Sequence, residues 1–261
     1  GTTRNPLVSR LQDVANRLRA IVVPDLPNTT TADAISYRHD WGSARIYGAD
    51  PWPRVWNADS SALLSVPASP YVAGAIARSD NERGVHWSPS SLEIFGVEGL
   101  CRPIDHSLFD PSAESQILNG SEVSTFARED GFRLFGNRTF STDPLWAFLS
   151  VRRTADLIHE SVEKGVAWAL DRPFSMANVR EVAESATDFL RSLRTDGATL
   201  GGKVWFDPAF NTKDKIRAGN WTYDFDMEPP PPAERITFRV HRNGNYIDEV
   251  VAAASRQIAA L

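Results

Sequence analysis

The side chains best suited to catalysis are carboxylates in the second half of the sequence, at Asp207, Asp224 and Asp226. Paired carboxylates can act as acid and base in hydrolysis, or bind a divalent cation through their oxygens. A hydrolase of this kind needs the carboxyl groups within about 10 Å of each other. Because Asp224 and Asp226 fall on the polar face of an alternating segment, we favour solvated surface charge, and the hydrolase stays open as an alternative.

The histidines and the cysteine form no recognisable metal or nucleophile motif. His159 lies beside Glu160 and Glu163, where a solvated helical face is the simpler explanation. Cys101 is the single cysteine and has no partner motif, which is typical of a small, inert, apolar residue. None of the five histidines takes part in the His-x-x-x-His pair expected of zinc ligands. The sequence therefore predicts neither an enzyme nor a cofactor or metal site.

The composition narrows the class of protein. A chain of 261 residues can form one large or two medium domains and can bury enough apolar surface to fold without disulfides. A net charge of −5 without a long basic run argues against nucleic-acid binding. No stretch is apolar over the roughly 20 residues that a membrane span requires, and the start does not resemble a signal peptide. We expect no nucleic-acid or membrane partner and synthesis in the cytoplasm.

The spacing of apolar residues in the first half predicts helices that alternate with strands. Helical spacing covers residues 7–19, 31–40 and 69–83, and short apolar runs predict strands at 20–23 and 44–49. This order is typical of an α/β layer with parallel strands. Such a layer normally opens with a strand, so we expect its first strand upstream of residue 1.

The second half carries two long helices and a mixed sheet. Apolar spacing predicts helices at 112–118, 143–170, 175–193 and 212–217, with Ser175 as N-cap, and strands at 123–126, 132–135 and 203–206. We place the domain boundary near residues 105–112. The predicted fold class is mixed α/β in two domains, an N-terminal α/β domain at 1–108 and a second domain at 109–261.

Two further segments alternate strictly between apolar and polar residues. Their apolar sides are Tyr223, Phe225 and Met227 in the first, and Ile236, Phe238 and Val240 in the second. Such patterning predicts strands with one wet face. The polar face is acidic in the first segment and basic in the second, which favours cross-strand pairing. The intervening prolines, Pro229–Pro232, are too stiff for a tight hairpin and indicate an extended spacer.

Five ordered blocks of the second half resemble the contractile tail sheath proteins of myophages and of R-type phage-tail-like bacteriocins. The blocks are Phe132–Thr139, Phe148–Thr154, Ala167–Pro173, Gly201–Pro208 and Glu228–Arg239, with looser agreement in the first half. The resemblance is most specific over residues 130–240. It implies a structural subunit that stacks as six-fold rings around a rigid tube, and contracts to drive that tube through a bacterial envelope without consuming a nucleotide.

The resemblance also implies partners and a location. The subunit would bind copies of itself in homo-hexameric rings, and also the tail tube protein and the baseplate and tail terminator proteins. It would belong to the virion tail or a bacteriocin particle, after assembly in the host cytoplasm. The second domain would face the tube, the first would lie outward, and terminal arms would add strands to a neighbour's sheet.

Two groups of residues are candidates for these contacts. The linking sheet and arm would use Arg235, Thr237, Arg239, Tyr246, Ile247, Val250 and Val251, and the tube contact would use Arg180, Arg191 and Arg194. Family members carry a further segment, with one linking arm, before the equivalent of Gly1, so we expect this chain alone to be monomeric or weakly associated. The sheath of a secretion-type contractile machine stays open as an alternative.

Overall fold

The computed structural model describes residues 4–259, and helices are its main regular elements. Within that range the α-helices are α1 (Pro6–Leu18), α2 (Thr31–His39), α3 (Ser69–Arg83), α4 (Glu114–Gly120), α5 (Leu149–Gly165), α6 (Met176–Thr195), α7 (Lys213–Arg217) and α8 (Asn245–Ile258). Short 3₁₀ turns at Pro144–Trp146 and Ala167–Ala169 flank α5. None of the described helices is long and apolar enough to cross a membrane.

Seven short strands form three separate antiparallel sheets within the described residues. The strands are β1 (Pro53–Asn57), β2 (Ala62–Ser65), β3 (Gly99–Leu100), β4 (Thr125–Arg128), β5 (Phe132–Phe135), β6 (Gly202–Trp205) and β7 (Asp224–Met227). The first sheet has the order β2-β1-β3, and β4–β5 and β6–β7 are two-stranded. The molecule is therefore a mixed helix and sheet fold, which confirms the predicted fold class.

The predicted parallel layer is present only as single bridges, Val22 with Ile46 and Ala49 with Ser124. The two segments predicted as strands form no continuous ladder within residues 4–259, and residues 44 and 45 of the second segment lie in a turn. Proline explains the short pairing, because Pro24 directly follows the first segment and lacks the N–H that a longer ladder requires.

Two buried clusters form the core of the first part of the chain. One surrounds Trp41 and Phe140, and the other surrounds Tyr47 and Phe126. Each cluster combines residues from before and after residue 108, so α4, β4 and β5 pack with the first half of the chain. The domain division at residue 108 stays a prediction.

The second half is built on α5 and α6, which contact each other, and α6 also contacts the β6 strand. The Ser175 side chain accepts a hydrogen bond from the N–H of Asn178 at 3.2 Å, so the predicted N-cap of α6 is present. The helix predicted at 143–170 is shorter. It begins at Leu149, because the preceding Phe148 pairs with Arg138 in a β-bridge and cannot also be helical.

The prediction of a strand at residues 235–241 is wrong for the single chain. These residues form no strand, and β7 pairs with β6 instead. The physical reason is the proline spacer Pro229–Pro232, which prevents a tight return to β7, whereas a strand exists only when a partner edge supplies its hydrogen bonds.

The arm prediction for residues 246–252 also needs correction, because this stretch lies in helix α8 rather than in a strand. Its apolar residues recur at intervals of three and four rather than two, which favours a helix with one apolar face. These residues are Tyr246, Ile247, Val250, Val251 and Ile258.

Candidate assembly surface

The chain leaves its folded body through the proline segment Pro229–Pro232. Just before it, the N–H of Leu200 donates to the carbonyl of Glu228 at 2.8 Å, and Pro229 is buried. The following prolines line a groove of about 640 Å³ whose other walls include Trp87 and Asn137. The segment is therefore laid against the body rather than projecting freely from it.

An ion pair holds the end of this segment. The Arg138 guanidinium donates from Nε to Oε1 of Glu234 at 2.7 Å and from Nη2 to Oε2 at 2.6 Å. The same guanidinium lies over the Phe148 ring, 4.9 Å from its centroid. The hydrogen bonds that Arg138 donates to Glu234 raise the pKa of Arg138. Because two parallel hydrogen bonds join the planar guanidinium to the carboxylate, they fix the orientation of the two side chains as well as the distance between them.

Every residue beyond this pair is exposed up to Ala259, the last one described. Ile236, Phe238 and Val240 are 73%, 86% and 89% exposed, and the polar residues Arg235, Thr237 and Arg239 alternate with them. The predicted linking-sheet residues at 235–239 therefore lie in one exposed segment, and the neighbouring apolar side chains are not covered by any other part of the described chain.

Helix α8 continues this exposed surface. Its apolar face carries Tyr246, Ile247, Val250, Val251 and Ile258, and each of these side chains is more than half exposed. Large apolar patches of this kind are rare on monomers and usually mark interaction sites. Residues 235–259, which we call the C-terminal arm, therefore form the principal candidate surface for assembly.

The charged face of α6 is a second candidate. Arg180, Arg191 and Arg194 lie on one exposed side of the helix, beside the buried row of Val182, Ala186 and Leu190. Arg180 pairs with Glu184 at 2.6 Å, and Arg191 pairs with Asp188 at 2.6 Å. Exposed pairs such as these contribute little to folding, so the side chains remain available to a partner.

Two of the three carboxylates considered for hydrolysis accept hydrogen bonds from nearby backbone N–H groups, whereas the Oδ2 atom of Asp224 is buried and has no hydrogen-bond partner among the described residues. Asp207 accepts a hydrogen bond from the N–H of Ala209 at 2.8 Å, and Asp226 accepts one from the N–H of Lys203 at 2.6 Å. Asp224 lies on β7 with Asp226. Within residues 4–259, no group of three or more His, Cys, Asp or Glu side chains could hold a metal ion.

His159 is not on a solvated helical face as predicted. Its ring packs edge-on against Phe225, with the centroids 5.4 Å apart. Burial lowers the pKa of His159, and the nearby cations Arg19 and Arg152 lower it further. The sequence could not indicate this contact, because Phe225 lies on a strand distant in sequence.

Family models match almost the whole chain. The model of the phage tail sheath protein central domain matches residues 1–140, and that of the phage tail sheath C-terminal domain matches residues 141–243.

Curated proteins of similar sequence are sheath proteins of phages and prophages. The chain is 35% identical over 253 residues to a putative prophage major tail sheath protein of Pseudomonas aeruginosa (strain UCBPP-PA14), a match covering 97% of this chain and 66% of that protein. It is 33% identical over 258 residues to the tail sheath protein of Burkholderia phage BcepMu, covering 94% and 54%. For Escherichia phage P2 the identity is 28% over 246 residues, covering 94% and 62%. The chain thus spans between 54% and 66% of the length of these relatives.

Solved structures with a similar fold are contractile sheaths. The sheath complex of the extracellular contractile injection system PVC, in its contracted state, has a TM-score of 0.72 at 20% identity, covering 86% of this chain and 64% of that one. The contracted helical sheath of the anti-feeding prophage has a TM-score of 0.72 at 24% identity, covering 85% and 61%. At these identities the likeness concerns the fold alone.

Proposed function

The chain belongs to the phage tail sheath family, and on this premise we propose that it is the sheath subunit of a contractile tail, which polymerises around a tail tube and contracts to drive the tube through a bacterial envelope. In this proposal the subunits form homo-hexameric rings and bind the tail tube protein along their length. Baseplate and tail terminator proteins bind at the two ends.

The observation that carries this proposal is the exposed C-terminal arm. Its alternating segment has the pattern of a strand with one buried face, yet within residues 4–259 it pairs with no strand. In the described chain β6 and β7 form a two-stranded sheet, so each keeps one outer edge without a strand partner. Addition of the arm to such an edge in a second copy would supply both the hydrogen bonds and the apolar cover.

Contact with the tube is proposed for the α6 face that carries Arg180, Arg191 and Arg194. Rim-type charge contacts give specificity without strong affinity, which suits a sheath that must release its tube as it contracts. Residues 109–261 would then face the tube, and residues 1–108 would lie outward.

We propose that the subunit works without catalysis, because the energy of contraction is stored in the assembled lattice. Two of the three candidate carboxylates bond to backbone N–H groups of β6 and the turn after it. The proposed location is the virion tail or a bacteriocin particle, with assembly in the host cytoplasm. Since the curated relatives are phage and prophage proteins, we favour this type over a secretion-type machine.

The proposal is tested by sedimentation and electron microscopy of the purified chain with and without tail tubes. We expect weak self-association alone, ordered decoration of tubes when they are added, and loss of self-association in Phe238→Asp. A matched control is Phe109→Asp, because Phe109 is an exposed aromatic residue outside the arm. A wild-type chain that neither self-associates nor binds tubes would contradict the proposal.

A further inference from the structure

Glu234 is the last residue before the C-terminal arm whose side chain bonds to the folded body. Among residues 235–259, the hydrogen bonds found in the described chain all join residues within that stretch. The position and direction of the arm therefore depend on what holds Glu234.

Its partner Arg138 belongs to a backbone segment that is fixed on two sides. The N–H of Thr139 donates to Ala147 at 2.7 Å, and the N–H of Phe140 donates to Ile46 at 2.9 Å. Thr139 and Phe140 are fully buried. This segment lies where the two family models meet, at residues 140 and 141, so it is bonded to elements of both.

The proline segment makes this anchor directional. Pro229 is buried at one end and Glu234 is held by two hydrogen bonds at the other. A run of prolines is a stiff spacer with few conformations. Because both of its ends are held, the segment has little freedom to rotate, and the arm leaves the body along one direction.

We propose that the Arg138–Glu234 pair is the anchor of the C-terminal arm, positioning it for a neighbouring subunit and transmitting force on the arm to the adjoining buried residues Thr139 and Phe140. What the arm binds rests on the proposed function, but the anchor acts within one chain. Arg138 suits this role better than lysine would, because its planar fork bonds both carboxylate oxygens at once.

The anchor can be tested in the dilute single chain with two spin labels. In a Cys101→Ser background, Glu129→Cys labels the body and His241→Cys labels the arm, since both positions are exposed. The distance distribution should be narrow in this reference protein and should broaden in Glu234→Gln and in Arg138→Lys. The charge swap Arg138→Glu with Glu234→Arg should restore the narrow distribution, which a loss of general stability would not allow.

A control variant and a second measurement make the outcome of the spin-label experiment decisive. Glu184→Gln removes a carboxylate from the exposed Arg180 pair on α6 and should leave the distribution unchanged. Trypsin cleavage after Arg235 should become about two- to fivefold faster in Arg138→Gln, which removes the pair without changing the cleavage-site sequence; this is the range expected for loss of one exposed pair. Cleavage after Arg242, further along the exposed arm, should keep its rate and serves as the internal reference.

Equal widths in the reference protein and in Glu234→Gln, or no recovery in the charge swap, would overturn the anchor. Neither measurement involves a second subunit or a tube. A failure of assembly would therefore contradict the proposed function and leave the anchor standing, and the two hypotheses can fail separately.

Discussion

Arg45 and Asp156 form a two-pronged ion pair between the turn that follows α2 and the middle of α5, although 111 residues separate them in sequence. One prong joins Nη2 to Oδ1 at 2.9 Å, and the side chains are only 11% and 8% exposed. Arg152, one helical turn away, donates to the same carboxylate at 2.5 Å. This carboxylate therefore joins the parts of the chain matched by the two family models.

We expect Asp156→Asn to lower the free energy of unfolding by about 3 kcal/mol, because it leaves two largely buried guanidinium groups without their counter-charge. Urea denaturation followed by tryptophan fluorescence measures the change. Glu160→Gln is the matched control on the same helix, since its pair with Lys164 is exposed and should contribute less than about 0.5 kcal/mol. Equal effects of the two substitutions would contradict the structural role of the buried pair.

Gly136 is the glycine at which a side chain is least tolerable. Its φ is +137°, and an added Cβ would lie 2.8 Å from the Cα of Ser124. We expect Gly136→Ala to cost at least about 2 kcal/mol of stability, since both strain and a backbone clash oppose it. Gly165→Ala, at the end of α5 with open space around it, should be neutral or stabilising by about 0.5–1 kcal/mol. Thermal denaturation of both variants checks this, and a harmless Gly136→Ala would show that the backbone of Ser124 is not so close.

The helices could be predicted from sequence because each buries one periodic face, as α6 does with Val182, Ala186 and Leu190. The hairpin of β1 and β2 could not. All four residues of β2 are exposed, so no alternation marks it, and β1 begins with Pro53, which is typical of a loop. A strand without a buried face leaves no hydrophobic signal in the sequence.

The candidate surface was partly predictable for the same reason. The apolar residues of the arm have a visible pattern in the sequence. The prediction treated the whole arm as strand-forming, however, and so missed helix α8. Each partner of the anchor lies in a block that resembles sheath proteins, Arg138 in Phe132–Thr139 and Glu234 in Glu228–Arg239. Their pairing had no signal, because 96 residues separate the two. Long-range ion pairs depend on tertiary folding and cannot be derived from spacing.

The environment of His159 predicts a pH dependence of stability. Burial lowers its pKa in the folded chain, so the unfolded chain binds a proton more readily. The stability is therefore fully present above the unfolded pKa of about 6.5 and is lost as the pH falls from there towards the lowered folded value. We expect the melting temperature to fall as the pH is lowered from about 7.5 to 5.5, and the fall to be smaller in His159→Gln. The control is His241→Gln, which changes an exposed histidine. If the melting temperature falls equally in the parent, His159→Gln and His241→Gln, His159 is not the source of the pH dependence.

Charge reversal on α6 tests the tube contact. Arg191→Glu with Arg194→Glu should leave the free energy of unfolding within about 0.5 kcal/mol of the parent, because both side chains are exposed. The same change should weaken decoration of purified tail tubes, and the parent's own binding should weaken with salt, since exposed charges are screened over about 8 Å at physiological ionic strength. The matched control is Lys164→Glu with Arg217→Glu, which reverses two exposed charges on α5 and α7. If both double variants decorate tubes as well as the parent does, α6 is not the tube-facing element, and the contact must be sought on another face of the second half.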